Sequence, residues 1–198
     1  MNRPKVVSVP SDHEAVGDVV RAVATDDLEL LCSAFERLHQ HLLWPDAMRA
    51  LRQAGVQASP RMQREFLEIY SEHGIAVHQL LSDADAVGAL RLLVPPYKGP
   101  SMRLYRGDAA WTYRNRKYGL NWTPDRDVAA SHAYTWQLHP GGGILLQADA
   151  PSRAIISAPF LLEDAPALAK SEAQYIVDRR RLRNVRVIQK FASVDWHQ

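Results

Sequence analysis

The sequence predicts an α+β fold, with a helical region over residues 1–97 and an antiparallel sheet region over residues 98–198. Two observations carry this. Between residues 25 and 93, apolar side chains recur at helical spacing, punctuated by polar caps and prolines. Beyond the turn-rich stretch 95–100, short apolar segments alternate with turn residues and leave little room for helices. That pattern fits antiparallel strands better than a doubly wound sheet. A hydrophobic content of 46% is enough for a sizeable core.

The helices are read in order. Thr25, Asp26 and Asp27 precede a stripe of Leu28, Leu31, Cys32, Phe35, Leu38 and Leu42, and acidic residues favour a helix N-terminus. This stripe predicts a buried Cys32. Pro45 suits the first turn of a second helix and Gly55 its end. Ser59-Pro60 opens a third, with Met62, Phe66, Ile69 and Tyr70 as its buried stripe and Gly74 as its close. Ser82-x-x-Asp85 resembles a capping box ahead of Val87, Leu90 and Leu93, and Pro95-Pro96 stops that helix.

Strands are predicted over 102–105, 144–148, 154–157, 174–177 and 185–191. Gly141-Gly142-Gly143 lacks the lysine of a phosphate-binding loop and reads as a hairpin turn. Thr123-Pro124-Asp125 reads as a helix start, with Thr123 as hydroxyl cap and a helix through Ala129 and Ala133.

Composition excludes several classes. A net charge of +2 is too small to imply nucleic acid by itself. One cysteine excludes an internal disulfide framework and fits a reducing compartment. No apolar run approaches the roughly 20 residues of a transmembrane helix, so no membrane partner is expected. Met1-Asn2-Arg3-Pro4-Lys5 is basic, but Ser8, Pro10, Ser11 and Asp12 break up the segment after it, making a poor signal peptide. The expectation is a cytoplasmic protein. His39 and His41, two apart on a helix, face different ways and predict no metal pair. Arg179, Arg180, Arg181, Arg183, Arg186 and Lys190 form a basic run. It reads as a solvated edge strand, with phosphate-backbone contact as the alternative.

Three segments carry candidate chemistry: Leu104-Tyr105-Arg106-Gly107, Gly119-Leu120-Asn121-Trp122-Thr123-Pro124-Asp125, and Glu172-Ala173-Gln174-Tyr175-Ile176-Val177-Asp178. An arginine on a strand stays charged and can grip a phosphate through two parallel hydrogen bonds. With a hydroxyl-bearing turn and an acidic residue leading a strand, it suggests a site for an anionic nucleotide.

In order and spacing these segments resemble the ADP-ribosyltransferase superfamily. The branch is the one with an arginine, a serine–threonine–serine-type strand and a Glu/Gln-x-Glu element. The chain looks most like small prophage and bacterial members with a Tyr-Arg-Gly start and a Trp-Thr-x-Asp-Arg turn. The resemblance spans residues 102–190. It implies a split antiparallel sheet, NAD as substrate, and transfer of ADP-ribose to a macromolecular acceptor, protein or nucleic acid. An inhibitor or antitoxin protein would be a second partner of such a toxin-like enzyme.

The resemblance also implies roles. Arg106, flanked by Tyr105 and Gly107, contacts the phosphates of NAD. Asn121, Trp122 and Thr123 shape the nicotinamide side. Glu172 takes the first position of the Glu/Gln-x-Glu element. Gln174 takes the second, where the family usually places its catalytic glutamate. Glutamine cannot supply the negative charge that stabilises an oxocarbenium-like state. On a strand, Glu172 would share a face with Gln174 at roughly 7 Å. His132 stands where relatives often carry an aromatic residue. The Gln174 departure leaves open a non-catalytic relative that binds a nucleotide or partner, and the arginine-rich tail leaves open a nucleic-acid-binding prophage protein.

Overall fold

Five helices precede the first strand in a computed structural model that describes residues 12–80, 82–161 and 170–193. They are α1 (Asp12–Thr25), α2 (Leu28–Gln40), α3 (Trp44–Ala54), α4 (Pro60–Leu80) and α5 (Asp83–Leu93). Their ends follow the local chemistry. The Asp27 carboxylate accepts the Leu30 N–H at 3.0 Å and caps α2. Gly55 closes α3 in the left-handed region at φ 66°, where only glycine sits without strain. Ser59 Oγ accepts the Met62 N–H at 3.1 Å, and Ser82 Oγ accepts the Asp85 N–H at 3.2 Å. Within the bundle, Phe35 stacks on Trp44 with ring centroids 4.9 Å apart.

Several expectations change here. Helix α1 is not among the helices predicted above, yet it forms over Asp12–Thr25 and buries Val19, Ala22 and Val23. Helix α4 runs through Gly74 to Leu80, because one interior glycine costs only about 1 kcal/mol and does not by itself stop a helix. Cys32 is exposed, with its thiol 3.5 Å from Glu65 Oε1. Leu31, Phe35 and Leu38 occupy the inward row of α2, so the next position round the helix faces outward. Leu42 lies past the helix end at φ 56° and is exposed. The signal-peptide reading of residues 1–5 lies outside the described residues. No described helix is long and apolar enough to cross a membrane.

The remaining strands form two antiparallel sheets, so the α+β class holds. One sheet has the order β1-β3-β6, built from β1 (Met102–Ala109), β3 (Gly143–Ala150) and β6 (Arg183–Phe191). The other has the order β2-β5-β4, built from β2 (Asn121–Trp122), β5 (Tyr175–Val177) and β4 (Ile155–Ser157). Strand β6 is an edge with Arg183, Arg186 and Lys190 exposed, as the basic run predicts, but Arg179, Arg180 and Arg181 lie before it in a 3-10 segment, where Arg179 is mostly buried against Asp83. The sheets meet where Tyr105 and Thr123 exchange backbone hydrogen bonds of 2.7 and 2.9 Å.

A short helix, α6 (Ala110–Arg114), follows β1, and α7 (Arg126–Thr135) lies across β1 and β3. Two glycines permit that approach. A Cβ on Gly107 would sit 2.1 Å from the Ala129 carbonyl oxygen, and one on Gly143 only 1.8 Å from that of Ala133. Thr123 is not the cap of α7. Asp125 is, accepting the N–H groups of Asp127 and Val128 at 2.8 and 3.2 Å. Thr123 is held extended by its bridge to Tyr105, so its hydroxyl instead accepts the Asp125 N–H at 3.0 Å. Gly141 and Gly142, at φ 87° and 72°, turn the chain from a short 3-10 segment (Trp136–Leu138) into β3 and make no hairpin.

The apolar core crosses the 97/98 boundary. Leu120, Ile156 and Ile176 of the sheet region pack into the same cluster as the helices. Polar contacts cross it too: Tyr97 N–H donates to Ile156 O at 2.9 Å, and Arg179 pairs with Asp83.

Candidate functional site

Where the two sheets meet, the chain leaves a cleft of about 320 Å³. Tyr105, Arg106 and Gly107 reach it from β1, and Asn121, Trp122 and Thr123 from β2 and its exit. Glu172 and Gln174 reach it from the turn before β5. The candidate site residues of all three sequence segments therefore line one space. Tyr70 joins them from α4, Val128, Ala129, His132 and Thr135 from α7, and Trp136 from beyond it.

Arg106 is braced before any ligand arrives. Its Nε donates to Asp108 Oδ2 at 2.7 Å and its Nη1 to the Asn121 carbonyl at 2.6 Å. Asp108 is buried, and its oxygens also accept the N–H groups of Ala109 at 2.9 Å and Gly119 at 3.2 Å. Each charge-assisted bond of this kind contributes roughly 1.5–3 kcal/mol. A Cβ at Gly119 would lie 2.3 Å from Arg106 Nη2, so the guanidinium occupies space that only glycine leaves free. The side chain is 23% exposed, and Nη2 is the donor not taken by Asp108 or Asn121.

Trp122 borders the cleft as a strut. It is 1% exposed, its indole N–H donates to the Gly119 carbonyl at 3.1 Å, and it meets Tyr118 edge to face at 5.9 Å. Trp122 is thus held rigidly in the cleft wall, with its indole N–H satisfied by the protein. Asn121 gives its carbonyl to Arg106 and its Oδ1 to the Tyr70 hydroxyl at 3.2 Å. Burial pushes the Tyr70 phenol well above its ordinary value, while the Arg106 charge pulls the other way, so Tyr70 remains a protonated donor. In sequence Tyr70 shows only as a member of the α4 stripe.

Glu172 and Gln174 do not share a strand. Strand β5 begins at Tyr175, and Ala173 is held in the left-handed region at φ 45°. A non-glycine residue there costs on the order of 1–3 kcal/mol and persists only when its surroundings over-determine it. The turn folds the two side chains together, and Gln174 Nε2 donates to Glu172 Oε2 at 2.5 Å. From α7, His132 Nε2 lies 3.0 Å from the other oxygen, Glu172 Oε1. A carboxylate only 20% exposed is thus held by an amide on one side and an imidazole on the other. By sequence His132 reads as no more than a packing variant, because its partner lies 40 residues away along the chain. Among the described residues, no group of three or more His, Cys, Asp or Glu side chains could hold a metal ion.

No family model, curated protein or solved structure matches the chain.

Proposed function

We propose that the cleft cleaves the nicotinamide–ribose bond of NAD and passes ADP-ribose to a macromolecule, in the manner of an ADP-ribosyltransferase. The observation that carries this is the convergence of Arg106, the Asn121–Thr123 segment and the Glu172–Gln174 turn on one cleft. In this reading Glu172 supplies the negative charge. As nicotinamide leaves with the bonding electron pair, positive charge develops on the ribose, and a fixed carboxylate beside it lowers the barrier. Gln174 cannot provide charge, but its amide fixes one carboxylate oxygen, and His132 fixes the other. Arg106 Nη2 is the donor left for a phosphate. A cleft of about 320 Å³ sits at the small end of the ~300–1,000 Å³ range for ligand pockets. It suits the nicotinamide–ribose end, with the adenosine end lying outside.

A second reading is a relative that binds without catalysis. The occupied fork of Arg106 and the amide at Gln174 favour it. Calorimetric titration with NAD, run beside release of labelled nicotinamide, separates the two. The expected result is binding with slow release, lost on the order of 10²-fold in Glu172→Gln, because one stabilising group is removed. Binding without release in the wild type selects the second reading. Absence of binding rejects the first reading and the nucleotide-binding form of the second.

A further inference from the structure

A second cavity, of about 710 Å³, opens past the other end of β5. Gln174 stands just before that strand and Arg179 just after it. Arg114, Arg116, Arg179 and Arg180 line the cavity with Tyr113 and Tyr118, and Asp83 is the one acid lining it among the described residues. Four arginines therefore line one cavity, with Asp83 in its wall and Asp178 beside Arg180 as their only paired carboxylates among the described residues.

The arginines divide into two kinds. Arg179 is fixed by Asp83 through hydrogen bonds of 2.8 and 2.6 Å, donates to the Tyr118 carbonyl, and lies over the Tyr118 ring at 5.9 Å. Arg180 is fixed by the buried Asp178 through bonds of 2.8 and 3.0 Å. Arg114 and Arg116, by contrast, are exposed and make no ion pair among the described residues. Arg116 is also held at φ 52°, pinned by its own N–H on Tyr113 O at 3.0 Å and the Lys117 N–H on Thr112 O at 2.7 Å. Two cations are thus presented from the end of α6 and the fixed turn after it, with no described carboxylate to neutralise them.

We propose that this cavity binds single-stranded nucleic acid, with phosphates on Arg114 and Arg116 and a base against Tyr113. Guanidinium forks match phosphate oxygens bidentately. An aromatic ring beside them gives a sequence-tolerant stacking surface. Acidic peptide would satisfy the cations and leave Tyr113 unused, and a duplex is too thick to enter a cavity of this size. The surface also continues in the right sense. Val185 of β6 lines the cavity, and the same edge strand carries exposed Arg183, Arg186 and Lys190, a basic track along which a strand can run. The site is separate from the NAD reading of the cleft and stands whether or not that reading holds.

The test is fluorescence anisotropy with a labelled oligothymidylate and no NAD present. The double variant Arg114→Ala/Arg116→Ala should weaken binding at least about tenfold. It should also flatten the plot of log affinity against log salt by about 1.4, near 0.7 for each phosphate no longer neutralised. Its thermal midpoint should match the wild type, since neither side chain forms a described ion pair within the protein. Arg186→Ala should give a smaller loss. No binding by the wild type, equal binding by the double variant, or displacement by polyglutamate as effective as by unlabelled oligonucleotide would each overturn the proposal.

Discussion

The helices and the sheets are held together by different kinds of contact. In the helical part, Leu31, Phe35, Leu38, Met48, Met62 and Phe66 are buried in one apolar cluster. Dispersion and burial act there through many interchangeable contacts, each side chain contributing roughly 1.5–3 kcal/mol. Around the cleft, Gly107, Asp108 and Gly119 act through single close approaches that no other residue reproduces. Apolar packing is redundant, and the polar clamp around Arg106 is not. A molecule built this way keeps its scaffold under substitution far better than it keeps its cleft.

Substitutions in the two regions should differ in cost accordingly. The largest effect is expected from Asp108→Ala. It strands the half-buried Arg106 guanidinium without its carboxylate, and breaking a buried pair from one side costs about 3–5 kcal/mol. Urea denaturation reads this as a fall in midpoint. Gly107→Ala comes next, at about 3 kcal/mol, because its methyl meets the backbone of α7 rather than a movable side chain. Met62→Leu, volume-conserving and fully buried in the helical core, should cost less than about 1.5 kcal/mol. A Met62→Leu loss larger than that of Gly107→Ala would reverse the comparison.

The smallest effect is expected from acid. Burial alone would raise the Asp178 carboxyl, but hydrogen bonds and charge from Arg180, with the charge of Arg181, outweigh it and hold it below its ordinary value. A carboxyl depressed in the folded state adds stability that is fully present above its unfolded pKa. That stability is lost as pH falls through the folded value. The folding free energy should therefore drop below about pH 4, and Asp178→Asn should flatten that limb of the curve. Equal acid limbs in the two proteins would show that Asp178 contributes nothing.

What sequence makes legible divides along the same line. The caps at Asp27, Ser59 and Ser82 and the glycine end at Gly55 are local chemistry, so they can be read directly. The five longer strands can be located as well, but not their ends: β1 runs four residues past the predicted 102–105, through Arg106 and Gly107, because its pairing with β3 continues there. Helix α1 is absent from the predicted elements although its signals are local too: Ser11-x-x-Glu14 has capping-box spacing, and Val16, Val19, Val20 and Val23 recur at helical spacing. In the cleft, the residues facing one another are legible from motif order, but their geometry is not. The left-handed Ala173 that folds Glu172 onto Gln174, the approach of His132 from α7 and the Tyr70 hydroxyl on Asn121 are all set by tertiary contacts. No window of neighbouring residues encodes them.

The reciprocal Tyr105–Thr123 bridge has a practical consequence. It joins the two sheets beside the cleft by one pair of amide hydrogen bonds. Neither amide proton can exchange with deuterium until that pair parts. Their exchange rate, followed by mass spectrometry on the peptides spanning Tyr105 and Thr123, therefore serves as a clock for separation of the sheets. A ligand that seats between the sheets should slow both protons together, while one confined to the arginine-lined cavity should leave both unchanged.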